Sequence, residues 1–580
     1  MIIQALVRHY EDLTAQNLIA PPGWNQVKAS YALELNEQGA LLRAASIQEN
    51  VLKGKKTVLA PRLMELPAPV KRTAGIAANF LCDNASYILG FDGKGDEERA
   101  KECFAACKAL HEQLLFDVDV PAAKALLAFF RCWDPEQAAG HPALQNEISG
   151  IMAGTNLVFR FNGAFIHEDP AIHRVWQAHY DEDSGSPTMV CLVTGRETSV
   201  EAVHPAIKGV QGAQSSGAAL VSFNAPAFCS YGKEQNLNAP TSKYAAFAYT
   251  SALNHLLADR EHLFHIGDTT VVCWAEGGEP AFQDAFGAFM FGSQSSYTET
   301  ELRDMVGQLL RGNSVLFDET LLDSDRPFYI LGLAPNAARL SVRFFLRNSF
   351  SVFLENVQRH YERLEIVKPA FDKFDTLPLW KLLGETVNQN SRDKAATPNM
   401  AGGVLRSILM DEPYPATLLH GALLRIRAER EVSRGRAAIL KAYYLKRPHP
   451  DISKEVLTVS LNPDSADIPY TLGRLFSVLE FVQSSANPGI NATIKDRYFN
   501  AASATPGHIF PILLNLSQKH LRKLEGGWRV YYEKQITELM GVLSEEFPPR
   551  LNLPQQGAFQ LGYYHQTQKR YEKKEENKDV

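Results

Sequence analysis

Positive charge in excess, cysteine pairs and long apolar runs are all missing from this 580-residue chain. Lys and Arg together number 59 against 65 Asp and Glu, a net charge of -6. That balance excludes a uniformly basic nucleic-acid coat, although a local basic groove remains compatible with it. The seven cysteines are scattered and odd in number. This is the pattern of a reduced compartment, and the chain is expected to be cytoplasmic. No stretch of about 18 uninterrupted apolar residues is present, so no membrane span is expected. The start, Met1 to Leu13, has no basic segment followed by a long apolar core, so no signal peptide is read there.

Catalytic signatures are absent too. Gly212-Ala-Gln-Ser-Ser-Gly217 has the glycine spacing of a phosphate loop, but Ala218 and Ala219 stand where Lys and Ser or Thr belong. Ser215 lacks the GxSxG setting of a nucleophile elbow. His167 and His173 do not form HExxH, and Cys82-Asp83 has no assignable His partner. Cys103 and Cys107 are four apart on a helix, but no second Cys or His pair follows at zinc-site spacing, so they read as a buried face. The expectation is a protein without enzymatic activity, metal or cofactor.

What remains is 45% hydrophobic and 21% charged, enough for roughly three or four domains of ~150 residues. The pattern predicts an α+β chain, with short strands and helices first and an all-helical bundle last. The expected regions are 1–370, with a possible sub-boundary near 150, then a helical connector 371–450 and a bundle 451–580. Strands are expected at Ala32–Leu35 and Leu41–Ala44, around a turn at Asn36–Gly39, and at Thr155–Phe161, Thr269–Ala275, Phe328–Leu333 and Arg339–Leu346. Gly277–Ser296 reads as irregular, and Pro415–Tyr444 as one helix. Thr567–Val580 reads as a frayed end.

The stretch Val190–Ala258 stands out. A buried strand, Val190–Val193, is expected to lead in, and an Ala-rich helix, Ser242–Ala258, to lead out. Between them lie many Gly, Ser, Asn and Gln residues and few charges. Such groups are either satisfied internally or offered to a ligand. With Lys208 and Lys233 at its edges, the stretch suits a polyanion. Asn79 and Asn84 flank Phe80-Leu81-Cys82. They can read base edges, or Asn84 can simply cap the segment Ala85–Gly90. Leu52–Leu59 is a basic hairpin or loop bearing Lys53, Lys55 and Lys56. From Gly421 to Pro450, eight Lys or Arg face two Glu, with Arg427, Arg430, Arg434 and Lys441 near one helical face. That stripe fits phosphate contacts or a solvated surface equally.

Several long segments carry a resemblance: Arg72–Gly90, Cys191–Gly195, His204–Asn224, Tyr231–Asn236, Ile266–Val272 and Tyr470–Phe476. Through them the chain resembles the large subunits of type I-C CRISPR interference complexes (Cascade). The resemblance implies a set of partners. These are a crRNA-containing complex with backbone and foot subunits, double-stranded target DNA, the displaced strand, a small subunit like the chain's own C-terminal region, and a separate helicase-nuclease. It implies that base pairing reads the target while this subunit reads a short flanking motif, the PAM. Asn79, Phe80, Asn84, Gln211, Gly212, Gln214, Ser215 and Phe228 become candidates at the PAM. One of Gln211, Gln214 or Phe228 would be a wedge splitting the first base pair. Lys55, Lys56, Arg72, Lys208, Lys233, Arg427, Arg430 and Arg434 become candidate phosphate contacts.

Overall fold

The computed structural model describes residues 1–53, 56–70, 72, 75–92, 96–181, 187–292, 296–392, 394–543 and 546–571. The fold is mixed, with short strands and helices first and helices alone at the end. It divides into two compact units. The first comprises Met1–Pro205 and Val221–Leu253; the second comprises Ala206–Leu220 and Asn254–Val580. The stretch singled out in the sequence is therefore shared between them.

In the first unit the alternating segment Tyr31–Leu35 forms the middle of a small sheet. It pairs antiparallel with Leu41–Ser46 and parallel with Leu157–Phe161, in the register Tyr31↔Leu157 and Leu33↔Phe159. Leu157–Phe161 also pairs with Cys82–Asp83 and Ala164–Phe165. Helices Glu97–Leu115 and Pro121–Cys132 supply Cys103, Cys107, Leu126, Phe129 and Phe130 to the core over this sheet. The basic stretch falls on two strands, Glu49–Lys53 and Lys56–Ala60, which pair antiparallel.

The second unit has an antiparallel sheet in the order Phe264–Ile266, Thr269–Ala275, Pro327–Asn336, Arg339–Ser349. Every residue of Thr269–Ala275 is buried. Helix Phe350–Leu364 buries Phe350, Phe353, Leu354 and Val357. One apolar core runs from Phe264 through these elements to Tyr564. The expected boundaries at 370 and 450 therefore do not separate cores, because packing continues across both. At the far end, helices Ile468–Ala486 and Leu553–Tyr571 meet through glycines. A Cβ on Gly473 would lie 1.9 Å from the Phe559 carbonyl oxygen, and one on Gly562 would lie 2.1 Å from that of Tyr470.

Four local expectations are corrected. Val190–Val193 is not a buried strand. Thr188–Val190 pairs with Glu197–Ser199, and Cys191–Arg196 is the turn, closed by Gly195 at φ +71°. Gly277–Ser296 contains the helix Ala281–Phe291. Phe282, Phe286 and Phe289 recur at helical spacing, and Gly292 ends it in the left-handed conformation. Pro415–Tyr444 is two helices, Ala416–Glu429 and Arg434–Lys446. Arg430 turns left-handed at φ +56°, and the Ser433 hydroxyl accepts from the Arg436 N–H at 3.2 Å to start the second. The last helix continues to Tyr571 rather than fraying from Thr567.

Candidate nucleic-acid interface

In the second unit, Ala206–Leu220 is stitched down at both ends. Ile207 and Ala218 exchange backbone hydrogen bonds of 2.9 and 2.8 Å. The Ala219 N–H donates to the Ala338 carbonyl and its carbonyl accepts from Leu340, which ties the segment to the sheet's edge strand. The Asn254 side chain accepts from the Lys208 N–H at 2.8 Å and donates to the Ala206 carbonyl at 3.1 Å. The Thr270 hydroxyl accepts from the Gln211 N–H at 3.1 Å. Gly217 is required at its position. Its φ is +99°, and a Cβ there would sit 2.8 Å from that of Ala206. No helix follows this loop as it would in a phosphate loop; Ala218 and Ala219 pair as extended chain.

The base of this loop is thus fixed by backbone bonds, while its tip is open. Gln211, Gly212, Gln214, Ser215 and Lys208 are all exposed. Among the described residues, no side-chain hydrogen bond is made by Gln211, Gln214 or Ser215. Their donors and acceptors are presented to solvent on a rigid base.

The Arg72–Asn84 segment, in the first unit, is used differently. Arg72 forks onto the buried carboxylate of Asp83 and lies 3.8 Å from the centre of the Tyr87 ring. Burial opposes its charge, but the hydrogen bond and charge of Asp83 prevail and raise its pKa. Asp83 also accepts from the N–H groups of Asn79 and Asn84, at 3.0 and 2.9 Å. The charge of Arg72 is therefore compensated inside the fold, which leaves it a poor phosphate contact. Phe80 is 1% exposed and stacked against Trp176, so its ring faces are not available to a base. Asn84 caps the helix Ala85–Ile88 by accepting from the Ser86 N–H at 3.1 Å. The Asn79 side-chain oxygen Oδ1 accepts from the Val70 N–H at 2.9 Å. A cleft of about 360 Å³ opens beside Arg72, Asn84, Tyr87 and Arg99.

Behind this segment, Leu81 is held at φ +62°. Its N–H donates to His111 Nε2 at 3.0 Å, while His111 Nδ1 donates to the Cys107 carbonyl at 2.7 Å. Only the neutral ring does both. Burial pushes His111 down to about 4, against the pull of the Cys107 carbonyl.

The remaining candidates scatter. Phe228 lies on the short turn Pro226–Phe228 and is 45% exposed. Lys233 is exposed on the following loop. Lys55 lies outside the described residues, as does the side chain of Lys56. Folding splits the basic stripe, taking Arg434 and Lys441 inside and leaving Arg427 and Arg430 exposed. Arg434 is buried, binding Asp372 at 3.1 Å and the carbonyls of Phe374 and Asp375 at 2.5 and 2.6 Å. Lys441 is 3% exposed and donates to the carbonyls of Arg363 and Glu365. Burial lowers its pKa to about 8. Arg427 is exposed and donates to Gln556 at 2.8 Å; Arg430 is exposed at the helix end. Tyr231, which opens one of the segments that carry the resemblance but is not among the candidate site residues, projects almost wholly into solvent. A tyrosine before a glycine reads as an ordinary turn, so no pattern announces it.

The family model described as CRISPR-associated protein (Cas_Csd1) matches residues 6–571. No curated protein matches the chain.

Proposed function

We propose a duplex-reading role for this chain, which belongs to the Cas_Csd1 family of CRISPR-associated proteins. It acts as the large subunit of a type I-C Cascade, as its resemblance to those subunits implies. In that role it inspects DNA for the PAM, helps open the duplex for pairing with the crRNA, and steadies the displaced strand. It leaves cleavage to a helicase-nuclease recruited in trans. It works without chemistry of its own: the guide reads the target and this protein reads the flank.

The observation that carries this reading is the loop Ala206–Leu220. Its Gln and Ser side chains are exposed and make no internal hydrogen bond among the described residues, and its backbone is fixed. Glutamine presents a donor and an acceptor together, which matches the paired groups on a base edge. Gly212, at φ +77° with its Cα facing Pro335 at a distance where a Cβ would lie 3.3 Å from the ring, lets the loop turn tightly and hold its side chains outward.

The test is duplex binding by the assembled complex carrying Gln211→Ala and Gln214→Ala together. Expected is a loss of PAM-dependent affinity of roughly tenfold or more, the scale of one or two base-edge contacts. Assembly should remain intact. Unchanged affinity for PAM-bearing DNA would instead make the subunit a scaffold without base contacts.

A further inference from the structure

The loop Ser230–Asn238, in the first unit, has an unusual economy. Tyr231 is 98% exposed. It nevertheless sits at φ +55°, in the left-handed region that non-glycine residues avoid. Gly232 and Gln235 follow at φ +69° and +45°. Gly232 takes this conformation freely, but Tyr231 and Gln235 do not, so two strained residues within five make a tight, costly path.

That path is held in place by Asn238. Its side-chain oxygen accepts from the Ser230 N–H at 2.9 Å, and its amide donates to the carbonyls of Lys233 and Gln235 at 3.1 and 2.9 Å. The Lys233 N–H closes onto the Ser230 carbonyl at 3.1 Å, and the buried Asn236 anchors the far side to the Ala202 carbonyl at 3.3 Å. So the backbone is strained, cross-tied and rigid, yet the ring it carries gains nothing from the core. Strain without a packing return is a mark of function. A tyrosine is a large stacking surface with only two side-chain torsions to fix, and Lys233 stands two residues away as an exposed cation. Aromatic and cation together are the means by which proteins hold unpaired bases.

We propose that Tyr231 stacks on an unpaired nucleobase at the opened end of the duplex, in place of Gln211, Gln214 or Phe228. This rests on the duplex-reading role above. Stacking needs no particular base, so Tyr231 contributes to opening and not to sequence choice.

An abasic site scanned through the first three pairs beside the PAM tests this. With a guide mismatched at those three positions, so that it pairs with neither strand there, the abasic site unpairs a step equally from either side, and a difference between strands reports the base that stacks. The complex with the natural chain should bind one abasic strand about tenfold more weakly than the other, the scale of one base on one ring. Tyr231→Ala should abolish that difference, and Tyr231→Phe should keep it. The proposal is overturned if the difference persists in Tyr231→Ala, if Tyr231→Phe behaves like Tyr231→Ala, or if no strand difference exists. It is equally overturned if Tyr231→Ala no longer enters the complex, which would make the ring a protein contact. Gln211→Ala with Gln214→Ala keeps the two claims apart. If that variant loses duplex binding while the strand difference is absent, only the stacking role falls. If it binds like the natural chain, the reading role falls and takes this inference with it.

Discussion

Two segments of the second unit invite the same use, and folding treats them oppositely. The basic segment 425–447 has the charge for phosphates, yet Arg434, Arg436, Lys441 and Lys446 spend theirs inside. Arg436 lies 3.4 Å from Glu385 and also pairs with Glu429. Lys446 pairs with Asp411 at 2.8 Å. The loop 206–220 has a single Lys and no acid, yet its Gln and Ser side chains stay uncommitted. Charge in a sequence is thus a poor guide to availability. A buried cation must find partners, because leaving it alone costs several kcal/mol. An exposed amide can wait for a ligand at little cost, because water serves it meanwhile.

The comparison is most exposed to failure at Arg434. Arg434→Ala strips a buried guanidinium from Asp372 and two carbonyls, and should destabilise the chain by roughly 3–5 kcal/mol, read as a shifted denaturant midpoint. DNA affinity per folded molecule should not move. An unchanged midpoint with weakened DNA binding would return Arg434 to the interface and reverse the contrast.

Next in size is acid. His111 titrates in the unfolded chain near 6.5 but only at about 4 when folded. Between those values the unfolded state binds more protons, so stability is full above about 6.5 and falls as pH drops toward 4. A shift of that size corresponds to at most about 3 kcal/mol. Burial likewise holds His204 and His565 at about 4, which adds to the same limb. Denaturant midpoints across this range should fall steadily with acid. A flat profile would mean that the neutral His111 is not what holds Leu81 in its left-handed turn.

The loop comes third and inverts the pattern. Gln211→Ala and Gln214→Ala should leave stability within about 0.5 kcal/mol, as for ordinary surface positions, while duplex affinity falls. A stability loss as large as that of Arg434→Ala would show that the tip is structural after all.

How much of this was legible follows from where each partner lies in the chain. The strands at Tyr31–Leu35, Leu157–Phe161 and Arg339–Ser349 are set by short local runs rich in apolar and aromatic residues, so the sequence displays them. Helix Leu553–Tyr571 escapes because Pro554, Gly557 and Gly562 interrupt its pattern, and only the approach of Tyr470 explains Gly562. The fate of the cations was hidden for a related reason. Arg434 meets Asp372 62 positions away, and Lys441 meets the Arg363 carbonyl 78 positions away. No window on the sequence contains both ends. The polar loop was legible as a candidate because what marks it is composition, which needs no partner. Tyr231 was not, because exposure and a left-handed backbone are properties of the folded chain alone.

The finest contrast lies within the basic segment itself, at Arg430. It is exposed, and its side chain makes no hydrogen bond among the described residues. Its backbone ends the helix Ala416–Glu429 in the left-handed conformation, with its N–H donating to Ile426 at 2.7 Å. The two roles can be separated by substitution. Arg430→Gly removes the charge but suits the backbone, so it should stabilise the chain slightly, by up to about 1 kcal/mol. If Arg430 contacts the displaced strand, the same variant should bind that strand less than tenfold more weakly, and the slope of log affinity against log salt should fall by about one. Arg434→Ala, measured on its folded fraction, should leave that slope alone. Equal slopes for all three chains would place Arg430 with the solvated surface. Arg430 would then contribute nothing to DNA, and the contrast between the basic segment and the acid-free loop 206–220 would sharpen.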